Sequence, residues 1–194
     1  MFAKTWRSAL SLLAGALLLV GAVGAPGPAR AAAAEQCFTE TGKCVGPLFL
    51  AYWQAHGGLS INGFPISDER VEVLEDGQPY TVQYFERVRM EYHPANEVTS
   101  TVLLGQFGRA IHPADPAASP KPGATYFQET GHNVDGKFLA YWQANGGLAQ
   151  FGYPLSEVIQ ETLEDNQTYA VQYFERARFE EHPEYAGTDY EVLL

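Results

Sequence analysis

Hydrophobic positions along the chain change period in a fixed order, and they do so twice. Residues 49–55 (FLAYWQA) place Phe49 and Trp53 four apart, and 138–144 repeat this with Phe138 and Trp142, so each stretch predicts a short helix with one apolar face. Pro47 suits the first turn of one helix and Asp135 is placed to cap the other. Gly57-Gly58 and Gly146-Gly147 then offer the left-handed conformation of a helix C-terminus, so each helix is expected to stop there after about three turns. Past a Gly-x-Pro loop (Gly63-Phe64-Pro65, Gly152-Tyr153-Pro154) the period becomes two. Val71 and Val73, or 159–163, read as a first strand. Glu75-Asp76-Gly77-Gln78, or Glu164-Asp165-Asn166-Gln167, reads as a hairpin turn, and 80–85 or 169–174 as the return. A second tight reversal leads into 89–93 or 178–182. The expected fold class is α+β, each unit a short helix packed on a small antiparallel meander.

Sliding the chain by 89 residues lays 37–94 on 126–183 without a gap, and 34 of the 58 aligned positions are identical. Self-similarity at that level means two copies of one structural unit. The organisation read from it is a flexible stretch at 32–36, repeat unit 1 at 37–111, a Pro/Ala-rich connection at 112–125 and repeat unit 2 at 126–194. Within the connection, PADPAASPKPG (113–123) has the composition of a semi-rigid linker. Copy two stops at Glu191-Val192-Leu193-Leu194, and the Gly105-Gln106-Phe107-Gly108 of copy one has no counterpart there. Such an apolar, strand-like end either pairs within its own sheet or is available to another chain.

The first 31 residues carry Lys4 and Arg7, then an apolar run over 9–23 and small residues at Ala29-Arg30-Ala31, the layout of a secretory signal peptide. An uncleaved anchor is the alternative, but the apolar run falls short of the ~20 residues of a membrane span. The residues ahead of Cys37 do not suit lipid attachment. Removing 1–31 takes away three of the 12 basic residues and no acid, leaving 9 basic against 23 acidic, a net charge of −14. No basic stripe remains to displace counterions from phosphate, which excludes nucleic acid and disfavours an anionic membrane surface after signal cleavage. Cys37 and Cys44, the only cysteines, flank Thr41-Gly42 and read as a disulfide in an exported chain; Tyr126 and Asn133 stand at these positions in copy two.

The most chemical-looking motif is Gln-Tyr-Phe-Glu-Arg-x-Arg-x-Glu-x-His, at 83–93 and 172–182. Glu86 with Glu91, or Glu175 with Glu180, has the residue types of a glycoside-hydrolase carboxylate pair. The competing reading is an ion-pair network in which Arg87, Arg89, Arg176 and Arg178 hold Glu86, Glu91, Glu175 and Glu180 and fix the hairpin. Two arginines per copy would keep both acids ionised, whereas a general acid needs a raised pKa. That favours structure, with no catalytic residue assigned. Tyr52, Gln54, Tyr84, Tyr141, Gln143 and Tyr173 are the candidate glycan-binding residues, flat rings beside amides that suit sugar hydroxyls. The acidic turns supply two carboxylates where Ca²⁺ takes six to eight oxygens, and the five histidines lack metal-ligand spacing, so neither metal nor cofactor is expected. Asn166-Gln167-Thr168 is a formal glycosylation sequon.

Gly57-Gly58-Leu59 followed by Gly63-Phe64-Pro65-Ile66-Ser67-Asp68, and Gly146-Gly147-Leu148 followed by Gly152-Tyr153-Pro154-Leu155-Ser156-Glu157, resemble the LGFP-type repeat of secreted bacterial cell-envelope proteins. Where that pattern leads with Leu, these copies carry Asn62 and Phe151. The resemblance implies a tandem, wall-associating and non-catalytic module. The expectation is therefore a secreted protein that associates with cell-wall or other extracellular glycan. A surface or filament protein that self-associates through the strand ending at Leu194 is the first alternative, and a wall-glycan hydrolase the second.

Overall fold

A computed structural model describes residues 34–97 and 101–194. The signal segment expected over 1–31 lies outside them. The chain enters through a hairpin, β1 (Gln36–Phe38) and β2 (Lys43–Val45), in which Cys37 faces Cys44 across the ladder and the two form a disulfide. Helix α1 (Pro47–Ala55) follows with its proline in the first turn, where a missing N–H costs nothing. Gly57 is left-handed, as its position predicts, but the helix does not simply stop: α2 (Gly58–Asn62) folds back at once. Trp53 explains the reversal, because its indole N–H donates to the Gly63 carbonyl at 2.9 Å and its ring packs against Gly58, where a Cβ would sit 3.4 Å from it.

The meander comes next as β3 (Arg70–Val73), β4 (Pro79–Tyr84) and β5 (Arg89–Tyr92). β6 (Val102–Leu104) joins its edge, giving an antiparallel sheet in the order β3-β4-β5-β6. A short helix α3 (Phe107–Ile111) then leads away. The second half repeats the sequence of elements: β7 (Thr125–Phe127), β8 (His132–Val134), α4 (Gly136–Ala144), α5 (Gly147–Phe151), β9 (Ile159–Thr162), β10 (Thr168–Tyr173), β11 (Arg178–Glu181) and β12 (Val192–Leu193), the last four as one antiparallel sheet. Asp135 is the N-cap residue of α4, although its side chain makes no capping bond. The α+β class holds. The apolar chain end is paired within its own sheet, Leu193 opposite Glu180 and Val192 opposite Glu181.

Each half has an aromatic core, Phe49, Phe85 and Met90 in one, Phe138, Phe151, Phe174 and Phe179 in the other. The cores are not independent, since Ile61 of α2 is buried within the second cluster. At the equivalent place in α5, Gln150 donates to the Asn62 side chain at 3.0 Å, both groups buried. Position 61 of the first half thus enters the core of the second, and position 62 meets the residue equivalent to 61. Tyr52 likewise lies in the field of Arg176, and Tyr141 in that of Arg87. Such reciprocity is the mark of a two-fold, isologous contact, here built within one chain. The described residues form one compact unit.

The stretch 113–123, with the composition of a spacer, is a bonded strap. Asp115 N–H donates to the Leu155 carbonyl, Ala118 N–H to the Gly131 carbonyl and Lys121 N–H to the Asn133 side chain, all at 2.8 Å. The Tyr126 hydroxyl and the Asn133 amide reach the Ala118 and Ser119 carbonyls. The two positions that are cystine in the first half therefore hold the strap in the second.

Candidate functional site

The repeated Gln-Tyr-Phe-Glu-Arg-x-Arg-x-Glu-x-His motif divides into two sets, because strand alternation and the tight reversal send its residues apart. Arg89, Glu91 and His93 share one face of β5. The Arg89 Nε and Nη2 reach the same Glu91 oxygen at 2.8 and 2.6 Å, Nη2 also meets Glu75 at 3.1 Å, and His93 contacts the other Glu91 oxygen at 3.0 Å. In the second copy Arg178 holds Glu180 in the same way, with Glu164 at 3.6 Å. Burial works to lower the pKa of Arg89, but bonds to Tyr84, Glu91 and Glu75 outweigh it and hold the guanidinium above its ordinary value.

Glu86, Arg87, Glu175 and Arg176 do not belong to that network, contrary to the expectation. Glu86 Oε2 accepts the Phe64 N–H at 3.0 Å and Glu175 Oε2 the Tyr153 N–H at 3.1 Å. Arg87 and Arg176 donate to the Leu59 and Leu148 carbonyls. These four stand in the reversal, where they clamp the Gly-x-Pro loop to the sheet. Gly63 is left-handed (φ +76°) and so close to Glu86 that a Cβ would lie 2.6 Å from the Glu86 Cβ. Ser67 Oγ accepts the Tyr84 N–H, and Gln83 bonds the Cys44 and Ser67 carbonyls, with Ser156, Tyr173 and Gln172 doing the same in copy two. The residues that carry the LGFP likeness thus hold a loop against a sheet. Glu86 and Glu91 serve different neighbours and do not act as a pair.

Of the six candidate glycan contacts, Gln54 and Gln143 are exposed and the tyrosines are largely engaged inside the fold. Tyr52 and Tyr141 sit where the halves meet. Burial pushes the Tyr52 hydroxyl up to about 12 and also raises Tyr141, with the opposite half's arginine pulling each the other way. Tyr141 packs edge-on against Phe179. Tyr84 lies under Arg70 at 4.7 Å with its hydroxyl on Glu72. Tyr173 is 6% exposed, stacked on His112 at 4.1 Å and bonded to Glu161. Tyr173 is therefore unsuited to stacking on a sugar, and Tyr84 is largely covered. Both were assigned from residue type alone, without the neighbours that cover them.

Of the six, only Tyr141 reaches the open concave surface. A cleft of about 1130 Å³ runs between α4, the 57–61 turn and the segment 188–194. Lys137, Tyr141 and Asn145 line one wall, Ser60, Glu86 and Arg87 another, and Thr188, Asp189 and Tyr190 the third. Tyr190, 64% exposed, is the ring the sequence reading missed, because it falls beyond the aligned repeat. Lys137 is paired with Glu181 and Glu191, which push its pKa up to about 12, and Glu191 is correspondingly lowered by Lys137 and the Gly187 N–H.

No family model, curated protein or solved structure matches the chain.

The remaining chemistry is that of held charges. Carboxyl groups shifted from their ordinary acidity, among them Glu75, Glu157 and Glu191, are shifted downward. Glu35, Cys37 and Cys44 lie within 4.8 Å of one another, the spacing of metal ligands, but both sulfurs are committed to the disulfide.

Proposed function

We propose that the protein is a secreted, non-catalytic repeat module that binds cell-wall or other extracellular glycan in the cleft between α4, the 57–61 turn and residues 188–194. The observation that carries this reading is the cleft itself, an open trough with an exposed aromatic ring, Tyr190, beside hydroxyl, carboxylate and guanidinium groups. Flat rings cover the apolar face of a sugar while polar groups take its hydroxyls. Tyr190 and the cleft walls replace Tyr84 and Tyr173 as the expected contacts. The acidic balance of the chain favours neutral or amino-bearing glycans over anionic ones. The likeness to LGFP repeats, the apolar N-terminal segment and the disulfide support an envelope location.

Hydrolysis is disfavoured because the candidate acids serve different neighbours, Glu86 the Phe64 N–H and Glu91 the Arg89 guanidinium. Assembly by donation of Val192–Leu193 would require that strand to leave β11. Co-sedimentation of the mature protein with insoluble wall material tests the proposal. Pelleting is expected, with about a tenfold loss of affinity in Tyr190→Ala, since an aromatic stacking contact is worth on the order of 1 kcal/mol or more. Unchanged pelleting by that variant removes the cleft from the argument. Concentration-dependent growth on size exclusion, lost when 191–194 are deleted, would point to assembly instead.

A further inference from the structure

The two halves present equivalent acceptor sites, and the chain fills one of them. After β6 the backbone crosses to the second half. Arg176 Nε donates to the Leu104 carbonyl at 3.2 Å, which marks the crossing. Gly108 then lies so close to the Phe174 carbonyl that a Cβ would be 1.8 Å from its oxygen, a place open to glycine alone. Arg109 follows with its N–H on the Glu175 carbonyl at 3.1 Å and its guanidinium on the Glu175 carboxylate at 2.6 Å. Phe107 is anchored on the first half, beneath the Arg89 guanidinium at 5.5 Å and beside Tyr84. Glycine, phenylalanine and arginine each do something different in this contact.

The site related by the internal two-fold is open except at Tyr173, the counterpart of Tyr84, whose ring is already stacked on His112 at 4.1 Å. A groove of about 280 Å³ lies there, lined by Glu86, Arg178, Glu180 and Leu194 and also by Phe107, Gly108 and Ile111 of the filled contact. Glu86 Oε2 bonds Phe64, while its Oε1 and carbonyl meet no donor among the described residues; their Glu175 counterparts hold Arg109. The Arg178 side chain is 20% exposed where Arg89, stacked over Phe107, is 8% exposed. Glu86 is exposed, whereas the Glu175 side chain is 12% exposed.

We propose that the groove bounded by Glu86, Arg178 and Leu194 is a docking site for a partner peptide carrying Gly-x-Phe-Gly-Arg, the chemistry that 105–109 present to the equivalent site on the other half. The groove supplies a carboxylate and a free carbonyl for arginine, a backbone approach that admits glycine, and in Arg178 a guanidinium less covered than Arg89 for the aromatic ring. A second copy of this chain is not the occupant. Each copy has two acceptors and one Gly-Gln-Phe-Gly-Arg, so lending that segment to a neighbour vacates the lender's own Glu175 site. The groove shares Glu86, Arg87 and Leu194 with the glycan cleft but not Tyr190, so Tyr190→Ala separates the two readings.

The test is titration of a labelled peptide with the sequence of 105–111, GQFGRAI, into the full mature chain. Saturable one-to-one binding is expected, weakened about tenfold or more by Arg→Ala or by Gly→Ala at the fourth peptide position, and by Glu86→Gln in the protein. Tyr190→Ala should leave it unchanged. Appending GQFGRAI after Leu194 makes the same contact intramolecular, so it should raise the melting temperature and abolish binding of the free peptide. A scrambled peptide that binds equally well overturns the proposal. So does an extension that changes neither the melting temperature nor peptide binding, and so does peptide binding that Glu86→Gln leaves intact.

Discussion

Gly63 and Gly77 have nearly the same dihedral, φ +76° and +77°, yet only one of them has a neighbour. Nothing lies within 4 Å of a Cβ built on Gly77, and Asn166 occupies the equivalent turn position at φ +64°. Gly77→Ala should therefore cost about 1 kcal/mol, the left-handed penalty alone, and Gly77→Asn close to nothing. Gly63→Ala meets the same penalty and a contact at 2.6 Å with the Glu86 Cβ, so a loss of about 3 kcal/mol or more is expected. Urea denaturation of the three variants checks the order. The need for glycine at both places was legible in the sequence as turn chemistry. The partner of Gly63 was not, because Glu86 looks like an ion-pair residue next to Arg87, and its bond to the Phe64 N–H has no local signature.

Helix and strand types followed the change of period closely, since each element buries one face. α2 and α5 escaped because five residues hold no full amphipathic pattern and each begins at a glycine that reads as a stop. The strap escaped for a different reason: proline and alanine announce stiffness but not a partner, and Tyr126 and Asn133 look like lost cysteines. Its anchor at Glu157 gives it a pH dependence. Burial pushes the Glu157 carboxyl up, but the Lys121 ammonium and the Asn133 N–H and amide outweigh this and lower its pKa. A carboxylate lowered on folding stabilises above its unfolded pKa of about 4.5 and loses that contribution as pH falls through the folded value. Amide-exchange protection of Lys121 and Asn133 should decline on acidification from pH 5 to 3, and Glu157→Gln should remove that dependence. Equal protection across the range would mean that Glu157 does not hold the strap.

Duplication invites a picture of two beads on a string, and the molecule departs from it at four positions. Ile61, Asn62, Gln150 and Phe151 are among the places where the copies differ; Ile61 and Phe151 are buried in one cluster, and Asn62 and Gln150 are hydrogen-bonded. Differences between repeats are where an interface between them shows itself, and this signal was present in the alignment. A shared core predicts shared fate. Calorimetry of residues 32–194 should show one cooperative transition, and Ile61→Ala, in the first half, should cost about 2 to 4 kcal/mol and lower that single midpoint. Two resolved transitions, with only the first moved by the variant, would show that the halves melt independently.

The short pairing of β12 has a mechanical consequence. Two ladder positions hold Val192 and Leu193 to β11, whereas at the other end tension passes through the Cys37–Cys44 covalent bond and bypasses the six residues between them. Stretched between its ends, the molecule would give way at Leu194 first. Loss of that strand also removes one rim of the groove beside Glu86, so a load borne along the chain would open one end and dismantle the vacant acceptor while the filled one, tied by Arg109 to Glu175, stayed shut.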